Sequence, residues 1–166
     1  MTRTAPATQR LVIGAFLFLA AVACAVAPLP LAFRSSGVLL FAYLAFSVGG
    51  PAAAHVTALL APPVGLISGD GEWLVMLPII LASNLLAMIG LEFAWRYPAL
   101  LVSPLLQAIP QLFVVNASTQ ELFAVDLPWG PRATVWIALH ALTALAGVLV
   151  VVFLDRRRER ETARAQ

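Results

Sequence analysis

Three polar residues, Ser103, Gln107 and Gln111, recur at every fourth position of an otherwise apolar segment and could together bind a small molecule. On an α-helix this spacing places all three side chains on one face. Carboxamides and hydroxyls both donate and accept hydrogen bonds. The pattern therefore predicts a polar face that lines a pocket for a small polar ligand. Polar side chains within a membrane also bond neighbouring helices to each other, and this alternative stays open for each residue.

Further polar side chains lie within the neighbouring apolar segments. Asn84 follows Ser83 near the middle of one segment, and His140 lies one helical turn after Trp136 in another. If these side chains face inward, the amide and the imidazole extend the polar lining, because both groups donate and accept hydrogen bonds. For His140 alone, a packed and hydrogen-bonded structural role is the alternative to ligand binding.

Catalytic and metal-binding patterns are absent from the sequence. It contains no Gly-x-Ser-x-Gly, no P-loop and no Gly-x-Gly-x-x-Gly. Its two histidines, His55 and His140, and its one cysteine, Cys24, provide neither a disulfide nor a multi-cysteine metal site. We therefore expect no enzymatic activity, no cofactor and no metal. A membrane enzyme without a recognisable motif is the remaining alternative.

The composition is typical of a membrane protein. Of the 166 residues, 61% are hydrophobic and 11% are charged, against roughly 45–50% and about 25% in soluble domains. The net charge of +2 excludes a basic nucleic-acid-binding face. A transmembrane helix needs about 20 apolar residues, so the length allows about six spans and no second domain. We predict an all-α polytopic membrane helical bundle with six transmembrane helices at residues 11–29, 37–48, 52–67, 73–94, 98–115 and 133–154.

The second and third predicted spans are separated by a break in one long apolar stretch. Gly49-Gly50-Pro51 disfavours a continuous helix, because glycine costs backbone entropy and proline lacks a backbone N–H. Both spans are then short for a bilayer. Short, interrupted spans are tolerated where protein surrounds the freed backbone groups.

The placement of arginine predicts the orientation in the membrane. All ten basic residues are Arg, and with six spans only Arg34 and Arg132 fall in outer loops. Basic residues are retained on the cytoplasmic side, so both termini should be cytoplasmic. This divides the chain into a cytoplasmic N-terminus (residues 1–10), a membrane domain (11–154) and a cytoplasmic Arg-rich tail (155–166).

The chain resembles the substrate-binding (S) components of energy-coupling-factor vitamin transporters. The resemblance rests on the small six-span plan, the alanine-rich first span, the Gly50-Pro51 entry to the third span, and the stretch Pro63-Val-Gly65…Gly69-Asp70. In the first span, small residues repeat at the spacing that lets two helices approach closely. We expect these residues to form an interface with a partner: Ala20, Ala21, Cys24 and Ala25.

The resemblance implies a multi-pass protein of the bacterial inner membrane that captures a vitamin or another small metabolite. It implies a transmembrane coupling subunit and ATPases as partners, besides the lipid bilayer. It also implies a ligand pocket near the outer face, formed by the later helices and an outer loop. In this sequence that pocket corresponds to Asn84, Gln107, Gln111, Asn116, Trp129, Trp136 and His140. The membrane protein of the bacterial rod-shape complex has a related plan, and it implies instead a structural or assembly role in the cell envelope.

Overall fold

The computed structural model describes residues 7–94, 98–119 and 133–164, and these residues form helices joined by short connections. Among these described residues, six helices are long and apolar enough to cross a membrane, the third together with the short 3-10 helix that follows it. The prediction of an all-α bundle of six transmembrane helices is confirmed, and the chain is a multi-pass integral membrane protein. The helices are α1 (Ala7–Val26), α2 (Leu31–Gly49), α3 (Pro51–Val64) with the 3-10 helix Gly65–Ser68, α4 (Gly71–Phe93), α5 (Ala99–Thr119) and α6 (Ala133–Arg164).

Two predicted boundaries differ most from the structure. The second helix begins at Leu31, six residues before the predicted start at position 37, and has 19 residues. Arg34, which was expected in an outer loop, therefore lies in its first turn, where it is 3% exposed. The last helix continues to Arg164 instead of ending at position 154. Its charged extension contains a hydrogen bond of 3.0 Å between Arg157 and Glu161, a pair at the favourable i, i+4 spacing.

The predicted break between the second and third spans is confirmed. Gly50 has φ 79° and ψ −168°, a backbone conformation that is open almost exclusively to glycine. Its N–H donates to the carbonyl of Phe46, which closes α2. Pro51 is the first residue of α3, where its missing N–H costs nothing and its fixed φ suits a helix. The two helices therefore reverse direction around a single residue.

We expect Gly50→Ala to lower the free energy of unfolding by about 1–3 kcal/mol, because a Cβ is strained at this φ and ψ. The free energy is measured by SDS titration in mixed micelles. Gly14→Ala is the matched control, since a Cβ at Gly14 meets no atom within 4 Å. The control should be neutral or stabilising by about 0.5–1 kcal/mol, as alanine is favoured over glycine within a helix. Equal effects of the two substitutions would contradict a special role for Gly50.

Helix α2 is the centre of the bundle and packs against α1, α3 and α6, while α5 packs against α4 and α6. Ser35 lies beside His140, and Tyr43 lies beside Gly147, so α2 and α6 run parallel. Arg10 and Gly49 line the same groove in the surface of the bundle, which places the start of α1 near the end of α2. The N-terminal and C-terminal helices therefore begin and end on the same side of the bundle. That this side is cytoplasmic stays a prediction.

Candidate functional site

The polar face of α5 points into the bundle. Ser103 and Gln107 are 0% exposed and Gln111 is 1% exposed, whereas the intervening Leu105 and Ile109 are more than half exposed. In a membrane these apolar residues face lipid. The predicted shared face is therefore confirmed, and its three polar side chains are enclosed by protein.

Ser103 bonds helices to one another. Its hydroxyl donates to the carbonyl of Ala87 on α4 at 2.7 Å, and it accepts from the Tyr43 hydroxyl on α2 at 2.6 Å. The carbonyl can only accept, so both donor assignments follow. The close approach depends on Gly90, because a Cβ there would lie 2.8 Å from the Cα of Ser103. For Ser103, the structure supports the interpretation as a bond between helices.

Asn84 also has a structural partner. Its amide nitrogen donates to the carbonyl of Ala58 on α3 at 3.2 Å. In a regular helix the N–H four residues later would bond that carbonyl, but residue 62 is a proline and has no N–H. Asn84 therefore supplies from α4 a hydrogen bond that Pro62 removes from α3.

Gln107 differs from Ser103 and Asn84. Neither its amide nitrogen nor its amide oxygen has a hydrogen-bond partner among the residues that the structure describes. The hydroxyl of Ser83 and the amide oxygen of Gln111 are likewise buried without a partner there. Consecutive membrane-crossing helices run antiparallel, so one turn beyond the Ala87–Ser103 bond Gln107 lies level with Ser83. By this register, the unsatisfied polar atoms lie at adjoining levels of α4 and α5, and we refer to them as the cluster around Gln107.

Both ring nitrogens of His140 lie within hydrogen-bond distance of a partner. Its Nδ1 lies 2.9 Å from the carbonyl of Trp136, and its Nε2 lies 2.9 Å from the hydroxyl of Ser35. The indole of Trp136 stacks on the imidazole with 4.3 Å between ring centroids. A carbonyl only accepts, so Nδ1 carries a proton and, in the neutral ring, Nε2 accepts from Ser35.

A serine bonded to a histidine is also the arrangement by which hydrolases activate a nucleophile. Here Ser35 is 0% exposed, and the carbonyl of Leu31, one turn earlier in α2, lies 2.9 Å from its hydroxyl and competes with His140 Nε2 for the single hydroxyl proton. His140 is 2% exposed, so among the described residues both members of the pair are buried in this arrangement of the helices. Its chemistry is that of a hydrogen-bonded link between α2 and α6.

A buried network that the sequence did not predict lies beside this pair. Arg34 donates to the carboxylate of Asp70, to the hydroxyl of Ser68 at 3.0 Å, and to the carbonyl of Ala25. Its guanidinium carbon lies 4.3 Å from the centre of the Trp73 ring, a cation–π contact. The network joins α1, α2, the 3-10 helix and α4 at the end of the bundle that is predicted to be outer.

The small residues of α1 pack within the chain itself. Ala21 and Ala25 are 0% exposed and belong to a core cluster with Trp73 and other residues. On this face α1 packs closely against α2, because the Cys24 sulfur lies against Gly37 of α2. Ala21 and Ala25 are therefore not exposed for a partner protein. Ala20 and Cys24 are half-buried, and a partner contact at those two residues stays a prediction.

One of the predicted pocket residues does not join the buried group. Asn116 lies on α5 but is exposed, and Trp129 lies outside the described residues. Among the described residues, no three His, Cys, Asp or Glu side chains come together in a way that could hold a metal ion. Comparison of the chain with protein families, curated proteins and solved structures gives no match.

Proposed function

We propose that this membrane protein captures a small polar molecule between its later helices, as the substrate-binding subunit of a vitamin or small-metabolite uptake system. The observation that carries the proposal is the buried, unpartnered carboxamide of Gln107. A carboxamide offers two donors and one acceptor oxygen, and leaving such a group buried without partners costs roughly 1–3 kcal/mol. A ligand that supplies the missing partners would recover this cost.

The comparison with Ser103 and Asn84 supports a ligand at Gln107 over a bond between helices. Those two side chains show how helices are bonded in this bundle, since each donates to a carbonyl of a neighbouring helix. Gln107 has no such partner among the described residues, although it is as deeply buried. With Ser83 and the oxygen of Gln111, it provides donors and acceptors on two facing helices.

Binding at this cluster requires the helices to separate. Gln107 and Ser83 are at most 1% exposed, so a ligand reaches their polar atoms only if α5 moves relative to α4. We therefore propose that the structure is the closed arrangement and that the ligand enters from the predicted outer end, near Gln111. Transport across the membrane would need partners, and we propose the coupling subunit and ATPases that the resemblance implies.

The test compares Gln107→Leu with Asn84→Leu in the full-length protein. Gln107→Leu should leave thermal stability unchanged or raise it, because it removes an unbonded amide. Retention of a small molecule, measured by native mass spectrometry after gentle purification, should fall about tenfold or more, the loss expected for hydrogen bonds worth about 1.4 kcal/mol together. Asn84→Leu should lower stability, because it leaves the Ala58 carbonyl without a donor.

Two results would contradict this proposal. One is a clear loss of stability in Gln107→Leu with no selective effect on retention, which would mark the residue as a bond between helices and favour an assembly role. The other is a wild-type protein that retains no small molecule under conditions in which it stays folded.

A further inference from the structure

A groove lies between α1 and α3, and none of its lining residues belongs to the cluster around Gln107. It encloses about 510 Å³ and is lined on one wall by Arg10, Gly14 and Phe18, and on the other by Ala52, Val56 and Thr57. The lining residues follow successive turns of both helices. Residues 10 to 18 of α1 cover about 12 Å at 1.5 Å per residue, so the groove is elongated along the membrane normal.

The polarity of the groove changes along its length. Arg10 is at the end near the terminus of α1, and the described lining contains no acidic residue that would neutralise it. Below it the walls are almost entirely apolar, and the one hydroxyl, that of Thr57, donates to the carbonyl of Ala53 at 2.9 Å. The groove thus offers a cation at one end and a hydrocarbon surface along the rest.

We infer that this groove binds one anionic phospholipid, with an acyl chain between α1 and α3 and the headgroup phosphate at Arg10. The groove opens on the lipid side of a membrane protein, and its charge is complementary to an anionic headgroup. This inference does not depend on the proposed uptake function.

The test measures lipid retention by native mass spectrometry of the full chain, with phosphatidylglycerol or phosphatidylcholine of identical acyl chains added. The wild type should retain one lipid and prefer phosphatidylglycerol about fivefold, as one arginine near the membrane surface is worth about 1 kcal/mol. Arg10→Gln should remove the preference. Arg160→Gln, an exposed arginine in the tail of α6, is the matched control and should keep it.

A second test of lipid binding uses variants whose side chains fill the groove. Gly14→Leu adds a side chain where a Cβ meets no atom within 4 Å, so it should occupy the groove without disturbing the fold. Ala52→Leu fills the groove from the opposite wall. Either variant should abolish retention of phosphatidylglycerol. Gly71→Leu is the control, because its Cβ is equally unobstructed but Gly71 lies at the start of α4, outside the groove.

Several results would overturn the inference. Equal retention of the two lipids by the wild type would exclude recognition of the headgroup. Unchanged phosphatidylglycerol retention in both filled variants would exclude this groove. Retention of a free fatty acid in preference to phospholipid would identify a different ligand. A filled variant that loses a dimeric mass and keeps its lipid would show that a second copy of the chain occupies the groove.

Discussion

Replacing Asp70 by alanine is expected to lower the free energy of unfolding by about 3 kcal/mol, because it leaves the buried charge of Arg34 without its ion-pair partner. Removing one member of a buried ion pair costs about 3–5 kcal/mol. We expect the lower end of this range, since the side chain of Asp70 is 30% exposed while that of Arg34 is 4% exposed. Unfolding is measured by SDS titration in mixed micelles.

Asp70 has a second role that the experiment must separate from the ion pair. Its carboxylate accepts from the N–H groups of Glu72 and Trp73 and so caps the start of α4. Asp70→Asn keeps a good capping residue but removes the charge. It should therefore show most of the decrease in the free energy of unfolding that is expected for Asp70→Ala. Glu72→Gln, which neutralises an exposed carboxylate in the same turn, is the matched control and should be nearly neutral.

A double substitution tests whether the unpaired charge of Arg34 is the cause of the lost stability. Arg34→Met combined with Asp70→Asn removes both charges, so no buried charge is left without a partner, which is the state that makes a single substitution costly. The double variant should therefore be more stable than Asp70→Asn alone. Full stability of Asp70→Asn would show that Arg34 does not need this carboxylate.

The sequence predicted the six helices because apolar runs and backbone breakers are local features. Gly50 and Pro51 mark the reversal between α2 and α3 by their own conformational limits, independently of any distant residue. The start of α2 could not be predicted in this way. Hydropathy treats Arg34 as a charge that ends a span, whereas its partner Asp70 lies 36 residues away and makes the charge compatible with burial.

The candidate site also combines features that are local in the sequence with contacts between distant residues. The spacing of Ser103, Gln107 and Gln111 was sufficient to predict a shared inward face, since helical geometry alone fixes it. It could not indicate that Ser103 is bonded and Gln107 is not. That difference depends on the register of α5 against α2 and α4, which places Tyr43 and Ala87 at the level of Ser103.

Gly147→Ala is the second substitution with a large expected effect, because a side chain there would occupy the position of Tyr43. A Cβ at Gly147 would overlap the ring of Tyr43 and lie 2.8 Å from the Tyr43 Cβ. Rotation of the ring does not relieve the contact with the Tyr43 Cβ, which is fixed to the backbone of α2, so α2 and α6 must move apart. Overpacking of a core costs about 1–3 kcal/mol and occasionally more, and we expect a loss of about 3 kcal/mol.

The displacement of Tyr43 by Gly147→Ala should also disturb the cluster around Gln107. Tyr43 donates to Ser103, so displacement of the ring removes a bond that holds α5 against α2, one turn from Gln107. Gly147→Ala should therefore reduce ligand retention as well as stability, whereas Tyr43→Phe, which removes only the hydroxyl, should cost about 1 kcal/mol. Ala146→Leu enlarges the neighbouring, exposed residue of α6 and should be neutral in SDS titration. If Gly147→Ala were as stable as Ala146→Leu, close contact between α2 and α6 at Tyr43 would not be needed to position Ser103 and Gln107.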